Sequence, residues 1–279
     1  MYLPKISIIT PSYNQGQFLE ETILSVLKQD YPNLEYIIID GGSTDNSVEI
    51  IKKYEDRLTY WISEKDRGQT HAINKGFRTA SGKILTWLNS DDLLLPGAVS
   101  MVADFFERYP ETGFVYGDCH VINENGKLFY VSKVVPFERN LLFYGRCLIS
   151  QPASFFRRNV LDRIGYLDES FDFAMDIELW IRAAQSRIKF DALFYPLAAA
   201  RVHGKAKTTS ERHKMIQQHK IIVARYRKLR FKFLDSTFFI TMNLYFRYES
   251  ALKRYLIRRD WGLFRTARAR AIANHSATK

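Results

Sequence analysis

Four polar residues, two of them acids, separate two strongly apolar stretches of the chain. Asn89, Ser90, Asp91 and Asp92 follow the apolar run 84–88 and precede three leucines. Adjacent carboxylates repel each other, and their burial beside an apolar strand is costly unless the charge is compensated. A hard divalent cation would compensate it, because Mg²⁺ or Mn²⁺ takes one or two protein carboxylates together with phosphate oxygens and water. The alternative is turn chemistry, since Asn, Ser and Asp also favour loops and helix caps.

Similar polar clusters follow the neighbouring strand-like runs. They are residues 10–14, 40–45, 63–69 and 89–92, and each begins where a short apolar run ends. The runs alternate with helical patterns of apolar residues, which predicts an α/β fold with a mainly parallel sheet covered by helices on both faces. Because ligands of such sheets bind beyond the carboxyl ends of the strands, the four clusters predict one shared site.

The apolar pattern also predicts where the individual elements lie. Strands are predicted over residues 6–10, 35–40, 58–63 and 84–88, and later strand-like runs cover 114–118, 128–135 and 153–156. A helix is expected after residues 89–92, with the three leucines at its beginning and Pro96 in its first turn. Another helix is expected to begin near Asp176.

Two of the clusters contain residues suited to a nucleotide. Asp40 ends a predicted strand and precedes two glycines, and an acid at this position commonly accepts hydrogen bonds from nucleotide groups. Tyr13 and Asn14 could stack on a base and hydrogen-bond to it. The alternatives are a satisfied turn carboxylate and a helix N-terminal region. The chain contains no G-x-G-x-x-G and no G-x-x-x-x-G-K-[ST] motif, so neither a dinucleotide-binding loop nor a P-loop is supported.

Composition describes an ordinary globular protein. Of the 279 residues 46% are hydrophobic and 25% are charged, which argues against a disordered chain. Two cysteines, Cys119 and Cys147, make no disulfide framework and favour a reducing compartment. The N-terminus has no secretory signal pattern, and no apolar run is long enough to span a bilayer. We therefore expect a cytoplasmic protein, at most peripheral on the inner face of the cell membrane.

The excess positive charge lies entirely near the C-terminus. Residues 212–279 contain 17 Lys and Arg and 3 acids, whereas residues 1–211 contain 24 Lys and Arg and 27 acids. We expect a globular domain over residues 1–211 and a basic, aromatic, helical extension over residues 212–279. Cations interleaved with aromatic residues favour an anionic membrane surface as partner. The alternative is packing on the domain, and nucleic acid is not expected because no recognised binding motif accompanies the charge.

The spacing of these motifs resembles a known enzyme family. Residues 10–51 followed by 63–98 resemble family-2 glycosyltransferases of the GT-A fold, and the resemblance extends over roughly residues 5–210. It implies a GT-A-like, Rossmann-related sheet, with a nucleotide-sugar half over about residues 1–113 and an acceptor half over about 114–211. It also implies inverting transfer of a sugar from a nucleotide-diphosphate sugar, assisted by Mn²⁺ or Mg²⁺.

The resemblance assigns roles to individual residues. Pro11, Tyr13 and Asp40 would hold the nucleotide with Asp66 close to it, Asn89 and Ser90 would face the ribose or sugar, Asp91 would bind the metal, and Gln151 would lie on the acceptor side. His203 matches a position where many relatives carry a His near the diphosphate and would be the second metal residue, although a lone His is more often structural.

A general base is needed on the acceptor side. The acceptor hydroxyl must lose a proton as it attacks the anomeric carbon. Asp176 matches the usual base of the family, and Glu178 is the second candidate. The alternative role of Asp176 is to cap a helix and complement its dipole.

Three departures from the family pattern bear on the donor. Residues 40–43 read Asp-Gly-Gly-Ser in place of the frequent Asp-Asp-Gly-Ser, and residues 72–74 read Ala-Ile-Asn in place of Ala-Arg-Asn. Lys75 or His71 would then replace the missing arginine at a phosphate. Asn89 begins the DxD signature, which leaves one formal charge fewer. The donor base and sugar therefore stay open.

The leading hypothesis is an enzyme that extends a lipid-linked saccharide acceptor in surface-polysaccharide biosynthesis. One alternative is a sugar nucleotidyltransferase, which would need a basic, Gly-rich loop after the first strand, and residues 10–18 contain no cation. The other is a catalytically altered nucleotide-sugar-binding protein. Retention of Asp40, Asp91 and Asp176 together counts against the second alternative.

Overall fold

The computed structural model describes residues 3–139, 142, 147–226 and 248. The strands are β1 (Ile6–Ser12), β2 (Leu34–Asp40), β3 (Tyr60–Ser63), β4 (Ile84–Trp87), β5 (Leu93–Leu94), β6 (Phe114–Asn123), β7 (Leu128–Ser132), β8 (Ser154–Arg157) and β9 (Phe190–Val202). The helices are α1 (Gly16–Leu27), α2 (Ser47–Lys53), α3 (Gln69–Thr79), α4 (Ala98–Arg108), α5 (Arg158–Ile164), α6 (Met175–Gln185), α7 (Lys207–Ser210) and α8 (Arg212–Tyr226).

In the described part of the chain, nine strands form one sheet. Its order is β3-β2-β1-β4-β8-β6-β9-β5, and β7 pairs with β6. The first four strands of this order are all parallel, and the second half is mixed because β8, β5 and β7 run antiparallel to their neighbours. The predicted α/β class, with strands and helices alternating through the first half, is confirmed.

Burial explains why the first strands form where the apolar runs lie. Every residue of β1 is buried, and so are all residues of β2 except the first. Strands buried on both faces read as continuous apolar runs, as these do. Helix α3 packs across β1 and β2. A Cβ atom at Gly76 of α3 would lie 2.4 Å from Cγ2 of Ile9, so glycine is what allows this close approach.

The register of the parallel strands aligns their carboxyl ends. Ser12 pairs with Asp40, and Asp40 pairs with Ser63. Trp87, the last residue of β4, pairs with Ile9 on the other side of β1. The prediction that the four polar clusters begin at one edge of the sheet is therefore confirmed.

The helix after residues 89–92 begins later than the sequence predicted. Leu93 and Leu94 do not begin it, because they form β5 and pair antiparallel with Ala199 and Ala198 of β9. Helix α4 begins at Ala98, after Gly97 in the left-handed conformation, so Pro96 lies before the helix. This prediction was wrong because β9, which the sequence pattern did not reveal, offers the leucines a strand partner.

The basic segment after residue 211 is described only in part. Its first fifteen residues form α8, and the described residues up to Tyr226 belong to one compact unit. The boundary predicted at residue 212 stays a prediction, and apart from Tyr248 the rest of the predicted extension lies outside the described residues. Among the helices that are described, none combines the length and the apolar character needed to cross a membrane.

Candidate functional site

A cavity of about 610 Å³ opens at the carboxyl ends of the parallel strands. Residues from all four polar clusters line it, so the structure brings together what the sequence predicted as one site. Eight of the predicted site residues are in the lining: Pro11, Tyr13, Asp66, Asn89, Ser90, Asp91, Gln151 and Asp176. Five others, Asn14, Asp40, Lys75, Glu178 and His203, lie outside the lining, and their contacts differ from one another.

Hydrogen bonds fix the loop of residues 89–92 to α1 and β9. The N–H of Asp92 donates to the carbonyl oxygen of Asn89 at 3.1 Å, and the Thr22 hydroxyl donates to the carbonyl oxygen of Asp92 at 2.8 Å. The backbone N–H of Arg201 donates to Oδ1 of Asp92, and Nε of Arg201 donates to the carbonyl oxygen of Asp91, each at 3.0 Å. Asp92 therefore holds the loop against β9, and both Asp91 and Asp92 belong to the cavity lining.

Asn89 occupies a position at which a carboxylate would be unfavourable. Its Nδ2 donates to Oδ2 of Asp92 at 3.1 Å and to Oε1 of Gln151 at 3.3 Å, while its Oδ1 accepts from Nε2 of Gln69 at 2.8 Å. Burial, and after it the charge of Asp91, already raises the pKa of Asp92 well above its usual range. A further acid would remove a donor and add a like charge, so the amide explains this departure from the DxD pattern.

Asp91 and His203 lie side by side and could hold a divalent cation. Oδ2 of Asp91 is 3.0 Å from Nε2 of His203, and the His203 ring is nearly buried, 4.6 Å from the ring of Phe18. A carboxylate oxygen and an imidazole nitrogen suit Mn²⁺. Within the described residues no group of three or more His, Cys, Asp or Glu could hold a metal. The pair could supply two protein ligands, which is the number that Mg²⁺ or Mn²⁺ commonly takes from a protein.

Asp40 is fully buried and satisfied by its own turn. Its carboxylate accepts hydrogen bonds from the N–H groups of Gly42 and Ser43 at 3.1 and 2.9 Å. The hydroxyls of Ser43 and Ser63 also donate to it, at 2.6 and 2.7 Å. These contacts match the alternative of a satisfied turn carboxylate, and a direct role at a nucleotide stays a prediction.

Gly41, beside Asp40, leaves room for Asp66. A Cβ atom at position 41 would lie 2.6 Å from Oδ2 of Asp66, and both residues line the cavity. The Asp66 carboxylate is held by the N–H of Gly68, which donates to Oδ1 at 2.8 Å. The space that the second acid of an Asp-Asp-Gly-Ser motif would fill is therefore taken by an acid from the next strand end.

Asn14 and Lys75 make contacts within the protein. Oδ1 of Asn14 accepts from the N–H of Thr44 at 2.8 Å, which joins the loops after β1 and β2. Lys75 forms an ion pair with Glu64 and does not line the cavity. The structure therefore gives no support for Lys75 as a replacement for the missing arginine. Tyr13 lines the cavity and is 60% exposed, so its ring is available for stacking.

Asp176, in the first turn of α6, has the properties of a base. Its Oδ1 accepts from the N–H of Ile177 at 2.8 Å, and its side chain lines the cavity. Burial raises the pKa of Asp176 to about 6. A carboxylate with such a pKa is ionised at neutral pH and accepts a proton more readily than an exposed one.

Glu178, the second candidate base, is occupied elsewhere. It is buried, and the guanidinium of Arg182 donates to both of its oxygens at 2.9 and 2.7 Å. The hydroxyl of Tyr226 donates to Oε1 at 2.6 Å. Since Glu178 also lies outside the cavity lining, Asp176 is the better placed of the two.

Sequence reasoning missed the support that β9 gives to the site. Besides its bonds to the 89–92 loop, Arg201 donates to the carbonyl oxygen of Glu124 at 2.8 Å and pairs with Glu21. Its guanidinium lies 4.9 Å from the centre of the Phe18 ring. The apolar run before His203 was the available signal, because it has the length of a strand and ends at the site.

Known proteins with similar sequences are glycosyltransferases. A family model described as Glycosyl transferase family 2 matches residues 7–165, which is more than half of the chain. An uncharacterized glycosyltransferase of Rickettsia typhi is 28% identical over 237 residues, covering 79% of this chain and 71% of its own length. Another, of Mycobacterium tuberculosis, is 33% identical over 183 residues, covering 65% of this chain and 69% of its own length.

Two solved structures share the fold. One is S. aureus TarS 1–349 in complex with UDP-GlcNAc, with a TM-score of 0.62 and 19% identity over 81% of this chain and 68% of that one. The other is the mannosyltransferase PcManGT of Pyrobaculum calidifontis in complex with GDP-Man and Mn²⁺, with a TM-score of 0.62 and 20% identity over 81% of this chain and 65% of that one. The family match and the sheet topology together show that the chain belongs to glycosyl transferase family 2 and has the expected GT-A type of α/β fold.

Proposed function

We propose that this glycosyltransferase is a metal-dependent, inverting enzyme that moves a sugar from a nucleotide-diphosphate sugar to a hydroxyl of a saccharide acceptor. The observation that carries the proposal is that one cavity is lined both by Asp91, paired with His203, and by Asp176 with a raised pKa. We call the loops after β1–β4, with His203, the donor side, and residues 168–176 the acceptor side.

The donor side supplies binding and charge stabilisation. Tyr13 offers a stacking surface to the base, and Asp66 lies where nucleotide hydroxyls could donate to it. Asp91 and His203 would hold Mn²⁺ or Mg²⁺, which stabilises the negative charge that develops on the leaving diphosphate. The Mn²⁺ in the structure of PcManGT supports this choice of ion.

The acceptor side supplies the proton acceptor. Asp176 removes the proton of the acceptor hydroxyl. At the same time the hydroxyl oxygen attacks the anomeric carbon on the face opposite the diphosphate, which leaves. A single displacement of this kind inverts the configuration at that carbon. The raised pKa of Asp176 favours proton transfer at neutral pH because it reduces the mismatch with the acceptor hydroxyl.

We extend this proposal to the acceptor of the sugar, the pathway and the location of the enzyme. The acceptor would be a lipid-linked saccharide of surface-polysaccharide biosynthesis, located at the inner face of the cell membrane. The positive charge of residues 212–279 supports this location, because it would attract anionic lipid. The part of this segment beyond α8 would attach the enzyme peripherally to anionic lipid, while residues 1–226 would form the catalytic domain.

Donor binding followed by product stereochemistry tests the proposal. UDP-GlcNAc and GDP-Man, the donors bound by the two structural neighbours, are the first two of a panel screened by thermal shift with and without Mn²⁺. We expect one donor to raise the unfolding temperature only with the metal, and the product to have inverted anomeric configuration by NMR. Retained configuration would contradict a single displacement. A donor that binds without any transfer would favour the catalytically altered binding protein.

A further inference from the structure

Helix α8 contacts the segment that leads to the proposed base. Oε1 of Gln218 accepts hydrogen bonds from the backbone N–H groups of Asp172 at 3.1 Å and Phe173 at 3.0 Å. Both of these residues line the cavity, and Asp176 follows Phe173 by three residues in the sequence. The Gln218 side chain therefore has a direct link to the acceptor side.

The same segment is also held by side chains of α3. The Thr70 hydroxyl donates to the carbonyl oxygen of Phe171 at 2.7 Å, and both atoms are buried. Nδ2 of Asn74 donates to the carbonyl oxygen of Leu167 at 2.9 Å, and Oδ1 of Asn74 accepts from the N–H of Leu167 at 3.0 Å. Backbone polar groups before α6 thus form hydrogen bonds with side chains of α3 and α8. In a helix or strand such groups would bond to other backbone groups instead.

Helix α8 is itself fixed to the domain near Gln218. Ile222, four residues later and on the same face, is fully buried. Arg225 forms an ion pair with Asp168 at 2.9 Å, and its guanidinium lies 4.8 Å from the centre of the Phe171 ring. The residues that contact the acceptor side are spaced as one face of a helix, so α8 presents Gln218 from a supported position.

We propose that Gln218 is a positioning residue for the base: it fixes the backbone before α6 and thereby keeps Asp176 in the cavity. The proposal rests on the proposed function, since it takes Asp176 as the proton acceptor. Without the Gln218 oxygen, two neighbouring N–H groups would have to find water, and the segment would move outward with its cavity-lining residues. Asp176 would then be displaced and better hydrated.

Three variants of the full chain separate positioning from general stability. Gln218→Met removes the acceptor oxygen at similar length, whereas Gln218→Glu keeps an oxygen that can accept both bonds. Gln217→Met is the matched control, because Gln217 is the exposed neighbour on the same helix. Hydrogen–deuterium exchange over residues 168–177 should become faster in Gln218→Met alone. Equal protection in Gln218→Met and the unaltered protein would overturn the proposal, whether or not transfer is detected.

Kinetics then test whether the contact serves the base. We expect Gln218→Met to lower kcat for transfer by roughly ten- to a hundredfold with an unchanged thermal shift by the donor. Because burial raises the pKa of Asp176, better hydration would lower it, and the acidic limb of kcat should move to lower pH. Gln218→Glu should restore both. The thiol of Cys147 interacts with Asp176, but burial raises the pKa of this thiol. Its titration therefore does not contribute to the acidic limb of the kcat profile.

The outcomes of the two measurements are distinguishable. An unchanged kcat and pH profile in Gln218→Met, with faster exchange, would overturn the positioning role and leave only a structural contact. An equal loss of kcat in Gln217→Met would also overturn it. If the unaltered protein transfers no sugar from any donor, the proposed function fails, while exchange still decides whether Gln218 holds the segment.

Discussion

The donor and acceptor sides of the cavity are built in different ways. The donor loops continue from buried parallel strands, whose register aligns Ser12, Asp40 and Ser63 at one edge of the sheet. The acceptor side is an irregular segment, held by side-chain hydrogen bonds from Thr70 of α3 and Gln218 of α8. The donor side therefore combines the register of the core strands with side-chain contacts such as those of Asp40 and Arg201, whereas the acceptor side depends mainly on side-chain contacts. Single substitutions should affect the two sides differently.

Loss of Asp176, the proposed base, should have the largest effect and leave the donor side intact. Asp176→Asn keeps the shape of the side chain but cannot accept the proton, so we expect kcat for transfer to fall by roughly 10²- to 10⁴-fold. The thermal shift produced by the donor and Mn²⁺ should stay unchanged. In the unaltered enzyme kcat should fall as the pH decreases through about 6, because protonation removes the ionised form of Asp176. Normal transfer by Asp176→Asn would assign the base elsewhere.

Loss of Asp91, the proposed metal ligand, should impair the donor side. Asp91→Asn removes the carboxylate that pairs with His203 at 3.0 Å, and we expect a loss of roughly 10²- to 10³-fold in kcat. The Mn²⁺-dependent part of the donor thermal shift should disappear. Asp92→Asn is an informative companion, since Asp92 contacts β9 and should affect stability more than metal affinity. An unchanged metal dependence in Asp91→Asn would exclude the 89–92 loop as the metal site.

The close approach of Gly41 and Asp66 gives a test within the donor side. Gly41→Asp would place a Cβ atom 2.6 Å from Oδ2 of Asp66 and add a like charge, so Asp66 must move and donor affinity should weaken. Combination with Asp66→Gly should recover part of the affinity, with a coupling of about 0.5–3 kcal/mol in a double-mutant cycle. Additive effects would show that the two acids do not compete for one space.

Asn89 gives a test with a smaller expected effect, in which the acid of the family signature is restored instead of removed. An acid there would complete the family signature, yet it would lose the donor to Asp92 at 3.1 Å. We expect Asn89→Asp to lower the free energy of unfolding by about 1–3 kcal/mol at neutral pH, measured by urea denaturation without metal. Tighter Mn²⁺ binding with unchanged stability would contradict a structural role for the Asn89 amide. It would mean that Asn89 acts as a weaker metal ligand than an aspartate at this position.

The position of the cavity could be predicted from the sequence, and most of the contacts that support it could not. Residues 89–92 follow a buried apolar strand, and the parallel topology alone implies that such strand ends meet. The support of Arg201 was missed although the apolar run before His203 has the length of a strand. The support of Gln218 could not be predicted, because it acts across a long sequence separation from a helix without a distinctive pattern. The same reason explains the misplaced helix start at Pro96, where pairing with β9 decides the local structure. Asp176 was found through the family resemblance, and its raised pKa depends on burial that composition does not reveal.

The C-terminal segment should show the smallest effect on catalysis, provided that the deletion spares α8. Removal of residues 229–279 leaves Gln218 and its contacts in place, so we expect transfer to a water-soluble acceptor to stay within about twofold. The same deletion should release the protein from anionic vesicles in a sedimentation assay, because residues 229–279 contain 11 Lys and Arg and only 3 acids. Deletion of residues 212–279 is the matched comparison, since it also removes Gln218 and should impair transfer in solution. Equal activity of the two deletions would show that the acceptor side does not depend on α8. Vesicle binding retained after removal of residues 229–279 would place the membrane contact within residues 1–228.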